Sequence, residues 1–435
     1  MRSFAIPISD TSYKWWALGV TIIGGFMSIL DTSIVNIAIP KMMAVFSVNT
    51  DQAEWILTAY MLTMGVIQPA TGYLCDIYGT KRMYLSSLLI FTVGSLLCGM
   101  AWSNDSMIAF RVLQAIGGGL IIPVTMSLVY HVFSAKERNM AMGIWGISAM
   151  VAPAIGPTLS GYLVEYWDWR LIFTINIPIG IIGFLLAALI LRETPVQEKK
   201  FDLGGFITAA VGLFCLLLAL NKGTSEGWDS GFIISLFVVA FTSLAAFVYL
   251  ELNQDDPLLD LTLFTDWNFS FSLVVSFIGT IGLYGGIFMI PLFLENFRGN
   301  TAMQTGMLLF PSALTAGLMM PLAAKLSDRF GAKPVVLIGL SILIAATLPF
   351  RHLSLDTSEH TIMMLMVFRG VGLGLFSMPV TVLGMNSVPL NKISRASSLN
   401  NAIRQVSGSM GVAILTTVLQ NRQIFHLERI TESFT

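Results

Sequence analysis

The segment GYLCDIYGTKR, residues 72–82, places three charged side chains, Asp76, Lys81 and Arg82, between two long apolar runs. Later in the chain the segment AAKLSDRFGAK, residues 323–333, repeats this arrangement between two further apolar runs. A charged segment that recurs at matching points of two apolar stretches indicates an internal repeat. Both halves of the chain are therefore expected to share one architecture.

The composition indicates a membrane protein. Hydrophobic residues make up 55% of the chain and charged residues 11%, whereas soluble domains contain about 25% charged residues. The net charge of −1 argues against a surface that binds nucleic acid. The three cysteines, Cys75, Cys98 and Cys215, have neither a CxxC spacing nor a metal-ligand spacing, so we predict unpaired thiols and no metal site.

Thirteen apolar runs are long enough to cross a bilayer, which takes about 20 helical residues. The predicted spans are 15–40, 55–74, 83–101, 107–133, 140–164, 171–191, 203–221, 231–250, 269–294, 303–324, 334–350, 361–388 and 396–419. Lys and Arg are about twice as frequent in the segments on the N-terminal side of the membrane as on the other side. The positive-inside rule therefore predicts a cytoplasmic N-terminus, with both charged segments on the cytoplasmic side.

The repeat extends beyond the charged segments. PATGYLCDIYGTKRMY (69–84) shares Pro, Leu, Asp, Gly and Lys in register with PLAAKLSDRFGAKPVV (321–336). RVLQAIGGGLIIPV (111–124) and RGVGLGLFSMPV (369–380) both have Arg near one end, Pro near the other and glycines between. Two halves in the same membrane orientation form a parallel repeat. Transporters can rock such halves about a central site to expose it to each side in turn.

These segments resemble the signatures of a known family, the major facilitator superfamily. Segment 72–82 resembles its loop signature, with one departure at Ile77, where a basic residue is usual. The matching residues are Gly72, Leu74, Asp76, Gly79, Lys81 and Arg82. The segments 30–40 (LDTSIVNIAIP), 152–161 (APAIGPTLSG, with Ser160 for a usual glycine) and 400–411 (NNAIRQVSGSMG) are similar to those of the fourteen-helix drug:proton antiporters of the EmrB/QacA type.

The resemblance implies an all-α integral membrane protein with the major facilitator fold. Two six-helix bundles related by a parallel repeat would be joined by two inserted helices. We expect the first bundle in residues 1–191, a linker with the inserted helices in 192–266, and the second bundle in 267–435.

Six, two and six helices make fourteen, whereas thirteen spans are visible. The final segment, 420–435, carries several charges and no long apolar run, so it is expected to be solvated and partly helical. We therefore expect a chain truncated after the fifth helix of the second bundle. The intact protein would continue for roughly 40 to 70 residues with one more helix of about 20 apolar residues. The alternative is a functional thirteen-helix form.

Asp31 and Arg111 are the candidate coupling residues. Asp31 lies about sixteen residues into the first span, roughly 24 Å along a helix, where an unpaired ionised carboxylate is costly. Arg111 enters the fourth span from the other side and is its natural partner, with Gln114 on the same helix face. The resemblance assigns both residues to proton transfer. The alternative is structural: an Asp bonded to neighbours such as Ser28, and an Arg that only joins helices.

The repeated charged segments are the candidate cytoplasmic gate. We expect Asp76 to face the N-terminal, dipole-positive end of a second-half helix beginning near Ala396, with Lys81 and Arg82 nearby. Asp328 in the second copy would hold the opposite half less tightly. The gate set is Gly72, Asp76, Gly79, Lys81, Arg82, Asp328 and Gly331, in which Gly79 and Gly331 permit tight turns.

Two further residue sets have weaker patterns. The resemblance makes Gly156, Pro157 and Gly161 an antiporter motif that seals the path between the halves, although a kinked packing helix would have the same residues.

The candidate substrate cavity has the polar residues Gln114, Glu295, Arg369 and Arg404. Glu295 replaces a usual glutamine and could favour cationic drugs; the alternative is a solvated carboxylate paired with Arg298.

Three functions compete at this point. The first is proton-coupled export of amphipathic drugs across the inner membrane, and the second is export of one metabolite, such as a fatty acid, siderophore or antibiotic. The third is a membrane enzyme or receptor, but no nucleophile constellation supports an enzyme. The chain has no P-loop, which excludes direct drive by ATP, so no cofactor is expected beyond the proton gradient. The expected partners are amphipathic substrates, protons and the lipid bilayer, and the resemblance adds a periplasmic adaptor as a candidate.

Overall fold

The computed structural model describes residues 10–197, 201–254 and 256–434 of the 435-residue chain, and these residues form helices and connecting segments without a strand. A bilayer has no water to bond exposed backbone groups, so a spanning chain satisfies them within helices. The α-helices are α1 Asp10–Ile34, α2 Ile39–Phe46, α3 Thr50–Tyr78, α4 Thr80–Gly99, α5 Asn104–Val132, α6 Arg138–Tyr166, α7 Leu171–Thr174, α8 Asn176–Ile190, α9 Leu203–Glu226, α10 Gly231–Leu252, α11 Trp267–Leu292, α12 Ala302–Phe330, α13 Ala332–Thr347, α14 Glu359–Asn386 and α15 Ile393–Phe434.

We call α1 to α8 the first half, α9 and α10 the inserted pair, and α11 to α15 the second half. Twelve segments of the described residues are long and apolar enough to cross a membrane. The remaining predicted span corresponds to α3, a helix of 29 residues. Its hydropathy is lowered by polar residues such as Thr58, Gln68 and Thr71, which are all buried against neighbouring helices. Residues 420–429 are the exposed continuation of α15, helical throughout.

The two halves repeat the same local structure. A capping box begins α3 at Asn49 and another begins α12 at Thr301, so both helices start with their first backbone N–H groups bonded. Each helix then ends at a glycine with φ of 85°, Gly79 or Gly331. Only glycine adopts this left-handed region without strain. The predicted tight turns are therefore present in both copies.

Close helix packing is also repeated. A Cβ on Gly117 of α5 would lie 2.4 Å from the backbone nitrogen of Phe91 in α4. A Cβ on Gly372 of α14 would lie 2.6 Å from the backbone nitrogen of Leu343 in α13. Small residues let helix backbones approach in this way within membranes. In the first half, this contact brings Gln114 of α5 against α4.

The halves meet along two seams. In one seam α6 packs along α12, and in the other α15 packs against α3 and α5. Near Asp76 a shared apolar core joins both halves. Its members include Tyr73, Tyr130, Trp145, Met320, Met378 and Leu399. We call this the Asp76 end of the molecule.

The inserted pair bonds to both halves at the opposite end. Lys222 of α9 donates to Glu54 of α3, with Nζ 2.6 Å from Oε2. Trp228, just beyond α9, donates from its indole nitrogen to the hydroxyl of Thr417 in α15 at 2.9 Å. Helix α9 therefore lies across the seam between α3 and α15 rather than beside it.

We predict that Gly117→Ala destabilises the protein, because the new methyl group would meet the backbone of α4 at 2.4 Å. Overpacking of this kind costs about 1–3 kcal/mol. The measurement is thermal unfolding of the detergent-purified chain, followed by a thiol-reactive dye that reports exposure of the three buried free cysteines. The control is Gly161→Ala, because no atom of the described residues lies within 4 Å of the place that its Cβ would take. Equal melting temperatures for the two variants would contradict the prediction.

Candidate functional site

Asp31 and Arg111 form an ion pair inside the first half. Arg111 Nη1 of α5 donates to Asp31 Oδ2 of α1 at 2.6 Å. The side chain of Asp31 is 0% exposed and that of Arg111 is 1% exposed. Neither group therefore contacts solvent in this conformation, and each provides the counter-charge that the other needs at this depth.

Three further polar side chains complete the pair, and we call the whole group the Asp31 cluster. Asp31 Oδ1 accepts from Gln114 Nε2 at 2.8 Å and from Asn176 Nδ2 at 3.1 Å. Both amides also donate to Ser95 Oγ, at 2.6 and 3.2 Å. The carboxylate thus ties α1, α5 and α8 together, and Ser95 joins α4 to the same two amides.

Aromatic rings cover the guanidinium. Arg111 Cζ lies 3.8 Å from the centroid of the Tyr60 ring, a distance at which cation–π attraction is effective. A Cβ on Gly118 would lie 2.6 Å from the Tyr60 hydroxyl, so glycine makes room for this ring. The ring of Tyr60 on α3 therefore holds Arg111 on one side, in addition to its ion pair with Asp31.

The sequence did not predict Ser95, Asn176 and Tyr60 as residues of the site. A signal existed for Asn176, which is the single Asn in the apolar run 171–191. Gln114, assigned to the substrate cavity, lies instead within the Asp31 cluster and is 0% exposed. The cluster thus places the carboxylate of Asp31 against a guanidinium that stays charged.

A second ion pair joins the two halves at the Asp76 end. Arg395 Nε of α15 donates to Asp76 Oδ2 of α3 at 3.1 Å, and both side chains are 7% exposed. Gly72 N donates to Ser398 Oγ at 2.6 Å, and a Cβ on Gly72 would lie 2.5 Å from the carbonyl oxygen of Ser394. Asp76 lies against the start of α15, with a side-chain cation as a partner that the sequence analysis had not singled out.

Lys81 and Arg82, predicted near the Asp76 contact, bond to α8 and to the segment that follows it. Their backbone nitrogens donate to the Glu193 carboxylate at 2.9 and 3.2 Å, and Lys81 Nζ donates to the carbonyl of Ala188 at 2.7 Å. A carboxylate at the start of α4 is stabilised by free N–H groups and the helix dipole. A Cβ on Gly79 would lie 2.2 Å from Glu193 Oε1, so the glycine also makes room for this carboxylate.

The second copy of the charged segment makes a weaker contact. Asp328 of α12 accepts a hydrogen bond from the Asn139 amide of α6. The partner is neutral and the contact is exposed. No heavy atom of the described residues comes within 4 Å of a Cβ built on Gly331. Nearby, Arg138 of α6 crosses between the halves by donating to the side chain of Asn386 at 3.0 Å.

The antiporter motif lies where α6 passes between α1 and α12. A Cβ on Gly156 would lie 2.0 Å from Ser33 Oγ of α1. Pro157 is beside α12, with its Cβ 3.9 Å from a Cβ built on Gly306. Gly161 makes no close approach to the described part of the chain, so packing does not explain its presence.

The remaining cavity candidates have separate environments. Arg369 of α14 is buried and donates to the carbonyl oxygen of Leu283 in α11 at 3.0 Å. Glu295 is exposed in a π-helical turn after α11. Arg298 donates to the carbonyl oxygen of Thr357 at 2.9 Å, and no ion pair with Glu295 is present among the described residues. Arg404 of α15 lines a narrow cleft within the second half.

Comparison with known proteins places this architecture in a family. Residues 21–412 match the family model of the Major Facilitator Superfamily. The chain is 36% identical over 414 residues to the uncharacterized MFS-type transporter YhcA of Bacillus subtilis, covering 95% of this chain and 78% of that one. It is 32% identical over 412 residues to the multidrug export protein EmrB of Haemophilus influenzae, covering 94% and 81%.

A solved structure has the same fold. The human organic anion transporter MFSD10 superposes with a TM-score of 0.70 at 13% sequence identity, covering 93% of both chains. This likeness concerns the arrangement of helices.

We predict that Asp76→Asn loosens the contact between the halves at the Asp76 end. Breaking a buried ion pair costs about 3 kcal/mol, and each 1.4 kcal/mol or so changes a population about tenfold. The measurement is the rate at which a maleimide labels Ala396→Cys, a buried position beside the pair, in a chain whose native cysteines are replaced. We expect the rate to rise about tenfold or more.

The matched control is Asp328→Asn, the same change in the other copy of the repeat, where the carboxylate is exposed and its partner is neutral. A small change in labelling is expected there. The same rate for both variants would mean that the ion pair does not hold the halves together.

Proposed function

Since residues 21–412 match its family model, this chain belongs to the major facilitator superfamily, and from that premise we propose that it exports amphipathic drugs or toxic compounds in exchange for protons. It is a multi-pass membrane transporter and not an enzyme. The family resemblance and the all-helical membrane fold predicted from the sequence are confirmed. Proton coupling, direction and substrate class belong to the proposal.

The observation that carries the proposal is the buried Asp31–Arg111 pair. The carboxylate accepts hydrogen bonds from side chains of α5 and α8 as well as from the arginine. Adding a proton would remove the negative charge, and the guanidinium would then lack its counter-charge in a dry site. Protonation of Asp31 and the packing of four helices are therefore linked, which is the requirement for a proton to drive a conformational change.

The gate supplies the second requirement, a contact that exists in one state and not in the other. The Asp76–Arg395 pair and the close approach of Gly72 to Ser394 hold the halves together at the Asp76 end. In alternating access this contact forms when the central site is open to the other side. A cycle in which Asp31 gains and loses a proton while the gate opens and closes would exchange substrate for protons.

The Asp76 end is proposed to face the cytoplasm, with the protein in the inner membrane and its N-terminus inside. The basic residues near this end support that orientation, among them Lys136, Lys325 and Lys333. Exposed aromatic residues lie at both ends, with Trp102 75% and Trp267 76% exposed, as expected of the two interfacial belts of a membrane protein. A periplasmic adaptor is the candidate partner at the end opposite Asp76.

We predict that Asp31→Asn abolishes proton-driven export, because the amide keeps the volume of the side chain but cannot titrate. The measurement is accumulation of a fluorescent amphipathic dye in proteoliposomes with an imposed proton gradient. Exchange of dye without a gradient should continue. The control is Asp105→Asn, the same change at an exposed carboxylate in the first turn of α5. Accumulation by the Asp31 variant at the wild-type rate would make Asp31 a structural residue.

We also predict the orientation. In intact cells a membrane-impermeant maleimide should label Trp102→Cys at the opposite end, and it should leave Lys136→Cys at the Asp76 end unlabelled until the membrane is opened. Both positions are exposed in the structure, so accessibility depends on the side of the membrane. The reverse pattern would invert the proposed topology and, with it, the assignment of the gate to the cytoplasm.

A further inference from the structure

Arg404 lines a cleft inside the second half, within the segment 390–429 that is long and apolar enough to cross a membrane. It lies eleven residues into α15, about 16 Å from the start of that helix. The cleft is formed by α11, α14 and α15 alone. Its polar lining consists of Arg404 and four hydroxyl side chains, Ser276, Thr280, Ser377 and Thr381.

The other buried arginines all have acceptors. Arg111 has Asp31, Arg395 has Asp76, and Arg369 has the carbonyl oxygen of Leu283. Arg404 is different: it is partly buried, yet within the described parts of the chain it forms neither an ion pair nor a hydrogen bond. A guanidinium at this depth remains charged and is costly without a counter-charge.

A second group in the cleft also lacks a partner. Ser276 is 5% exposed, and its hydroxyl makes no hydrogen bond with the described residues. The hydroxyl of Thr381, by comparison, already donates to the carbonyl oxygen of Ser377 at 3.1 Å. The cleft therefore offers a fixed cation and a free hydroxyl donor, which together match an oxyanion.

The rest of the cleft is apolar. Leu283, Leu373 and Phe376 line it beside the polar groups. The free space between these helices is about 10 Å³, room for roughly one water molecule, so a larger ligand enters only when α11, α14 and α15 move apart. A ligand that satisfies both parts has a compact oxyanion at one end and hydrocarbon next to it. A carboxylate suits the arginine because its two oxygens can accept from the guanidinium in parallel.

We propose that this cleft binds the carboxylate of an amphipathic acid, with Arg404 as the counter-charge and Ser276 as a hydrogen-bond donor. The inference rests on the proposed export function and specifies its substrate class: amphipathic anions are selected over amphipathic cations. The two halves then have different tasks. The first half holds the proton site, and the second half holds the substrate headgroup.

The test uses the full chain in lipid nanodiscs and two probes with the same twelve-carbon tail, dodecanoate and dodecyltrimethylammonium. Binding is measured by tryptophan fluorescence. We expect wild type to bind dodecanoate more tightly, and Arg404→Gln to weaken dodecanoate binding about tenfold or more without changing binding of the cation. Arg404→Lys should be intermediate, because an ammonium cannot bind both oxygens in parallel. Acetate should bind poorly, which separates an amphipathic acid from a free anion.

Two further variants distinguish loss of the binding site from loss of folding. Ser276→Ala removes one hydroxyl and is expected to weaken dodecanoate binding about three- to tenfold. Arg422→Gln, the same charge change on the exposed end of α15, should bind like wild type. Equal losses for both probes in Arg404→Gln, or tighter binding of the cation by wild type, would overturn the proposal.

The outcome also separates this inference from the proposed function. If the wild type exports dodecyltrimethylammonium in exchange for protons and Arg404→Gln leaves dodecanoate binding unchanged, the anion site is wrong and proton-coupled export stands. If the wild type transports neither probe with a proton gradient, while Arg404→Gln selectively loses dodecanoate, the anion site stands and proton-coupled export is wrong.

Discussion

The structure depends on one constraint: inside a bilayer, a charge or a polar group has only the protein to bond to. Asp31 and Arg111 satisfy each other, and the amides of Gln114 and Asn176 satisfy the remaining oxygen of the carboxylate. Arg369, which forms no ion pair within the described parts of the chain, donates to a backbone carbonyl of α11 instead. These partners determine which helices contact one another, because each bond joins different elements. A polar contact in this protein is therefore also a constraint on helix packing.

Much of the fold could be predicted, because a membrane span is recognised from the hydropathy of its own residues. Thirteen apolar runs correspond to long helices, and the paired glycines at 79 and 331 mark the same turn twice. Pairings between distant helices were harder to predict. Asn176 reaches Asp31 because α8 packs against α1. Lys81 bonds to α8 through its side chain, and through its backbone to Glu193, which follows α8. Nothing local encodes the rotation of one helix against another, so the partners of Asp31 and Asp76 were found in part and those of Lys81 and Arg82 were not.

The two copies of the repeat have the same backbone structure, but their charged side chains have different partners. Asp76 forms a buried pair with an arginine, whereas Asp328 meets a neutral amide at the surface. Arg111 pairs with an acid, whereas its counterpart Arg369 bonds to a carbonyl oxygen. A duplicated fold needs both copies to pack, but it needs each chemical function only once. The second half is thus free to carry a different site, and the clearest sign of it is Arg404, which forms no ion pair with the residues that the structure describes.

Helix α9 bonds to α3 on one side and to α15 on the other, so it could not follow both halves if they rotated apart as proposed above. Either the bonds of α9 to one half would break in each transport cycle, or α9 would stay fixed while both halves rotate about it. The seam between α6 and α12 differs, because small residues such as Gly143 and Gly317 lie along it. The inserted pair would then limit the rate of transport without contacting the proton or the substrate.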